Sequence, residues 1–152
     1  MRSVGIITFH YALNYGALLQ SYALQKAIAA LGYDIAIIDY RPTWDRSSEW
    51  SLLQRVEWRS RQVVKRALGL TGHQERQRKA ERFRRERLRL SSETYLDAAS
   101  LHRKPPVFEA YVVGSDQVWN PLIQRSDPAY FLDFAPPGKK RISYAASFGL
   151  SV

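Results

Sequence analysis

The strongest constraint on this chain lies in residues 4–39, where two short apolar runs flank one helical repeat. Val4-Gly5-Ile6-Ile7-Thr8-Phe9 is almost continuously apolar, the pattern of a strand covered on both faces. Residues 17–31 space Leu18, Tyr22, Leu24, Ile28 and Leu31 close to helical period, and Gly32 stands where a helix end favours a left-handed residue. Asp34-Ile35-Ala36-Ile37-Ile38-Asp39 is a second strand of the buried type, ended by Tyr40-Arg41-Pro42. Strand, helix, strand is a βαβ unit, and its right-handed crossover makes the two strands a parallel pair. The fold class that follows is α/β, a Rossmann-like parallel sheet of four to five strands with flanking helices.

Further along, Leu52, Leu53, Val56, Val63, Val64, Ala67 and Leu68 form an amphipathic stripe, and residues 69–72 break it. Residues 74–90 read as a second, Arg-dense helix with a thin apolar line through Ala80, Phe83 and Leu90, which suits a peripheral position. Residues 97–103 suit a short helix stopped by Pro105-Pro106. Residues 107–113 are the third strand expected, 127–138 a loop or short edge strand, and 141–146 the fourth. The whole, 1–152, is expected to be a single domain with a basic helical insertion at 50–92.

Composition narrows the chemistry. A chain of 152 residues that is 45% hydrophobic and 12% aromatic can fill a core. No apolar run approaches the roughly 20 residues that a bilayer-spanning helix needs, and no secretory pattern follows Met1, so the expected location is cytoplasmic. The absence of cysteine excludes disulfides, thiolate nucleophiles and cysteine zinc sites, and His10, His73 and His102 have no metal-ligand spacing. The net charge of +9 is concentrated in residues 55–89, where thirteen Lys and Arg face four acids; the remainder is neutral, with ten of each. Such a segment can meet nucleic acid or an anionic membrane surface, or be a solvated helical face. Phe83 is the one aromatic residue in 59–90, so no stacking platform accompanies the charge and nucleic acid is disfavoured.

In a parallel α/β sheet, ligands bind outside the carboxyl ends of the strands, where loops converge and helix N-termini present N–H groups. Three such ends are rich in small and polar residues: 10–16, 114–120 and 147–149. In parallel strands all three share one rim and one pocket. In the first, which lacks both the dinucleotide and the P-loop pattern, His10 is an acid, base or donor, or else only a strand cap. Asn14 suits a helix cap, Tyr15 stands beside it, Gly16 suits close backbone approach to an anionic group, and Gln20 faces cleft or solvent. In the second, after Gly114, Asp116 can take the proton of a sugar hydroxyl, Gln117 and Asn120 can orient it, and Trp119 offers a flat apolar face. The structural alternative is a helix entry with Ser115 or Asp116 as cap and Trp119 as core filler. Ser147 opens the third. Lys139-Lys140-Arg141 is either an anion site or a solvated turn.

Several of these segments together resemble the polysaccharide pyruvyl transferase family: Ile6-Ile7-Thr8-Phe9-His10, Asn14-Tyr15-Gly16-Ala17-Leu18-Leu19-Gln20-Ser21-Tyr22-Ala23-Leu24-Gln25, Ile38-Asp39-Tyr40-Arg41-Pro42, Val113-Gly114-Ser115-Asp116-Gln117-Val118-Trp119-Asn120, Tyr130-Phe131-Leu132-Asp133-Phe134 and Ser143-Tyr144-Ala145-Ala146-Ser147-Phe148-Gly149. The resemblance covers nearly all of the chain except the Arg-rich middle, and Glu109 stands where the family pattern has Asp. It implies a transferase that moves a pyruvyl unit from phosphoenolpyruvate, as co-substrate and with no other cofactor, onto a sugar of a cell-envelope or exported polysaccharide. It also implies the two facing Rossmann-like halves of a B-type glycosyltransferase, this chain being the amino-terminal, acceptor-side half. Asp116 and His10 would then be catalytic. Asn14, Tyr15, Gly16, Gln20, Gly114, Ser115, Gln117, Trp119, Asn120 and Ser147 would bind a polysaccharide or lipid-linked acceptor. Phosphoenolpyruvate would be held by a half expected beyond Val152, so the chain alone is expected to be inactive, and the basic 55–90 stretch would allow contact with the inner face of a membrane. The alternatives are a non-catalytic glycan-binding module and a fragment of a B-type glycosyltransferase.

Overall fold

The computed structural model describes residues 2–43 and 72–149. The amphipathic stripe of 52–68 and the first part of the basic stretch therefore lie outside the described residues. The elements are β1 (Ser3–Ile7), α1 (Tyr15–Ala30), β2 (Asp34–Tyr40), α2 (Gly72–Arg87), β3 (Leu90–Tyr95), α3 (Ala98–Arg103), β4 (Ala110–Asp116), α4 (Pro121–Gln124), a 3-10 turn (Pro128–Phe131) and β5 (Lys140–Ala146). The strands form one sheet in the order β3-β2-β1-β4-β5, and every pairing is parallel. This is the Rossmann-like α/β arrangement that the βαβ pattern demands.

The pleat divides the core in two. Val4, Ile6, Ile35, Ile37 and Val112 face α1 and α2, meeting Leu18, Leu24 and Ala80. Ile7, Ile38, Tyr40, Tyr111 and Val113 face the other way, onto Leu101, Tyr130, Leu132 and Phe134. Neighbouring residues of one strand thus serve opposite cores, which is why these strands lack polar alternation. Each fully buried Ile contributes about 1.5–3 kcal/mol. Gly5 is required by packing, because a Cβ there would fall 2.4 Å from the Phe108 ring.

Helix α1 buries Ala17, Leu18, Ser21, Leu24 and Gln25. Leu31, expected on its apolar stripe, is instead the C-cap and 74% exposed, since it lies one residue past the last turn. Gly32 takes the left-handed conformation at φ 84°, as its position predicts. Helix α2 packs its Ala80 on the α1 side of the sheet, and its surface charges form the i,i+4 pairs Glu75–Lys79 and Arg82–Glu86.

One strand escapes the periodicity argument. Leu90-Ser91-Ser92-Glu93-Thr94-Tyr95 is polar, yet it pairs with β2 at the sheet edge. The strands expected third and fourth are therefore β4 and β5, and α2 lies between two paired strands as part of a second strand–helix–strand connection. An edge strand with one solvated side tolerates polar residues, so no apolar run marks it. Residues 127–138 hold the 3-10 turn rather than a strand. Among the described residues, no helix is long and apolar enough to cross a membrane.

Candidate functional site

Strand β1 delivers the chain into residues 8–14, and the side chains of Asp39, Arg84 and Gln20 hold that loop. His10 is 0% exposed. Its Nε2 lies 2.9 Å from Asp39 Oδ1 and its Nδ1 3.2 Å from the Thr8 carbonyl oxygen, so neither nitrogen is open to a ligand. Asp39 also accepts from Arg41 Nε (2.7 Å) and from the Thr94 hydroxyl (2.7 Å). Burial raises the Asp39 carboxyl, but the hydrogen bonds from His10, Arg41 and Thr94, together with the His10 charge, outweigh burial and hold it well below the ordinary carboxylate range. Arg84 of α2, itself buried, donates to three successive carbonyls, those of His10 (2.8 Å), Tyr11 (2.6 Å) and Ala12 (3.0 Å). Its remaining nitrogen pairs with Glu81 (2.8 Å).

The loop then enters α1. Asn14 caps the helix, its side-chain oxygen accepting from the N–H groups of Gly16 (2.8 Å) and Ala17 (3.3 Å), which occupies the N–H groups that an anion would use. Tyr15 and Gly16 are exposed at this end. One turn on, Gln20 points inward. Its amide donates to the Thr8 hydroxyl (2.8 Å), and its carbonyl accepts from the hydroxyl (2.7 Å) and the backbone N–H (3.2 Å) of Ser115. The end of β1, the first turns of α1 and the end of β4 are thereby joined.

At the end of β4, Gly114 is held at φ 124°, and a Cβ there would lie 2.0 Å from the Tyr144 carbonyl oxygen of the paired β5. No other residue type fits. Asp116 follows at φ 82° and is exposed, its backbone carbonyl accepting from the N–H of Ser147 (3.0 Å). The exposed Ser147 returns its own carbonyl to the Trp119 N–H (3.2 Å). Gly149, at φ 61°, packs where a Cβ would fall 2.3 Å from the Gln117 side chain.

Three of the polar side chains expected here are turned toward the protein. Asn120 is buried, caps α4 and donates to Gln117 Oε1 (2.9 Å). The half-buried Trp119 donates its indole N–H to the Tyr130 carbonyl (2.9 Å) and stacks on Phe131 at 5.9 Å and 5° between planes, with Phe148 tilted against it at 5.6 Å. The arrangement thus gathers all three loops on one rim and leaves Asp116, Ser147, Tyr15 and Gly16 exposed there, whereas His10, Asn120 and Gly114 are buried. The exposed Asp116 carboxylate is able to accept a proton from a bound hydroxyl group.

Sequence reading passed over Asp39, Thr94 and Arg84. Asp39 stands at the end of a strand and within the Ile38–Pro42 segment of the family resemblance but has no site role there, Thr94 lies in the strand without periodicity, and Arg84 is one of thirteen similar cations. Of the three, Asp39 alone carried a signal, an acid closing a buried strand. Among the described residues no set of metal-ligating side chains converges. A concavity of about 710 Å³ lies away from this rim, on the uncovered face of β4 and β5 beside α1, where Ala110, Val112, Ile142 and Tyr144 meet Leu24 and Ile28.

The family model described as polysaccharide pyruvyl transferase matches residues 14–152, most of the chain. No curated protein and no solved structure matches it.

Proposed function

Because the chain belongs to the polysaccharide pyruvyl transferase family, we propose that it supplies the acceptor-side half of a transferase that moves a pyruvyl unit from phosphoenolpyruvate onto a polysaccharide sugar. In this reading a companion half binds the donor. Two acceptor hydroxyl oxygens bond to C2 of phosphoenolpyruvate, the C–O bond to phosphate breaks, C3 takes one hydroxyl proton to become a methyl group, and the other proton leaves with phosphate. Asp116 receives the first hydroxyl proton and passes it on, while the exposed Ser147 lies beside it for the sugar and Gln117 braces Asn120 and Gly149. His10 serves as a positioning group: with Asp39 and Arg84 it orders the 8–14 loop.

The observation that carries this reading is the junction of three separate loops through Gln20–Ser115 and Ser147–Asp116, which leaves one exposed carboxylate at the centre of the rim. Positioned general bases contribute roughly 10²–10⁴-fold. In a transferase carrying these 152 residues, Asp116→Asn is therefore expected to lower phosphate release from phosphoenolpyruvate at least about a hundredfold while glycan binding is retained. Unchanged turnover removes Asp116 from the chemistry. The isolated chain is expected to bind glycan and release no phosphate.

A further inference from the structure

The sequence leaves Trp119 either a sugar-stacking face or core filler, and the ring is half-buried and stacked inside the protein. What the solvent meets instead is the pair of phenylalanines packed against it. Phe131 is 49% exposed and Phe148 54% exposed. Both touch Trp119, at centroid distances of 5.9 and 5.6 Å. Exposed aromatic rings gathered at one place on a rim usually mark a binding surface, because scattered single residues suffice to account for ordinary surface hydrophobicity.

We propose that Phe131 and Phe148 form the platform on which a pyranose ring of the acceptor packs its C–H face, with Trp119 as the pillar beneath. The proposal rests on the acceptor-side reading above. A pyranose is the ligand whose chemistry fits: one face is apolar C–H and its edge is hydroxyl, and here the exposed Phe148 belongs to the same loop junction as the exposed Ser147 and Asp116. Phe148 directly follows Ser147, whose N–H is bonded to the Asp116 carbonyl (3.0 Å). A ring seated on Phe148 therefore has a carboxylate within the same loop junction.

The platform is also held in place before any ligand arrives. The indole N–H of Trp119 is tied to the Tyr130 carbonyl, its backbone N–H to Ser147, and Gly149 is wedged against Gln117. A preformed surface of this kind avoids the cost of ordering side chains on binding. Neither phenylalanine belongs to the buried core, so truncating either one is expected to leave the fold intact.

The test is saturation-transfer difference NMR and affinity titration of the chain with hexasaccharides of β-linked glucose, galactose and N-acetylglucosamine. Phe131→Ala and Phe148→Ala are compared with Val107→Ala, an exposed control away from the rim, and circular dichroism checks each fold. Expected are saturation of one face of the sugar ring, a five- to tenfold loss of affinity in each phenylalanine variant, no loss in the control, and retention in Phe148→Trp. Glycan binding that is undiminished in both alanine variants overturns the platform and leaves the acceptor-side reading standing. A wild-type chain that binds none of the three glycans overturns the acceptor-side reading itself.

Discussion

The side-chain carbonyl of Gln20 accepts both the hydroxyl (2.7 Å) and the backbone N–H (3.2 Å) of Ser115, a residue 95 positions away. With the Gln20 amide on Thr8, one side chain spans the ends of β1 and β4. With the bond from the Ser147 N–H to the Asp116 carbonyl, the rim is a single hydrogen-bonded assembly.

Gln20→Ala leaves the Ser115 hydroxyl and N–H without that partner, and is expected to cost about 1–3 kcal/mol, the desolvation penalty of partly buried unpaired groups. Urea unfolding measures the loss, and amide exchange at Ser115 should accelerate in parallel. Gln20→Glu keeps the acceptor and loses the donor to Thr8, so it should fall between wild type and Gln20→Ala.

Gly114→Ala faces both a backbone conformation that L residues rarely adopt and a clash with the Tyr144 carbonyl. The β4–β5 pairing must open to admit the methyl group, at a cost of about 3 kcal/mol or more. Thermal unfolding is expected to shift to much lower temperature. Gly32→Ala, at another positive φ but with open space around it, should cost only about 1 kcal/mol.

Arg84→Lys is expected to destabilise the chain by about 1.5–3 kcal/mol, because one ammonium cannot reach three successive carbonyls in the way a guanidinium does. Arg82→Ala and Arg85→Ala, both exposed, should stay within about 0.5 kcal/mol of wild type. Denaturant titration of the three variants separates a residue built into the loop from its solvated neighbours.

Asp39 is more acidic in the folded chain than in the unfolded one. Its contribution to stability is therefore complete above the unfolded carboxylate pKa of about 4 and declines as the pH falls below that value toward the folded one. Asp39→Asn should lower stability by about 1.5–3 kcal/mol at neutral pH, since it removes the carboxylate that faces His10 and accepts from Arg41 and Thr94. Urea midpoints measured across acid pH should also show a flatter decline in this variant than in wild type.

Residues 4–39 specified the sheet class, the parallel pairing and the Gly32 turn by themselves, because apolar period and helix-ending residues act over a few positions along the chain. The gathering of the 10–16, 114–120 and 147–149 loops on one rim followed from the same logic, since parallel strands point their carboxyl ends the same way. The polar edge strand β3 was not legible, because its pairing with β2 is stated in no local pattern. Nor were the burial of His10 against Asp39 or the choice of Arg84 from among thirteen cations, and for Trp119 core filler and ligand face stood open until its partners were known. Each of these depends on which side chains the crossovers set side by side, and a hydrogen bond or ring stack between residues tens of positions apart leaves no periodic trace in the sequence.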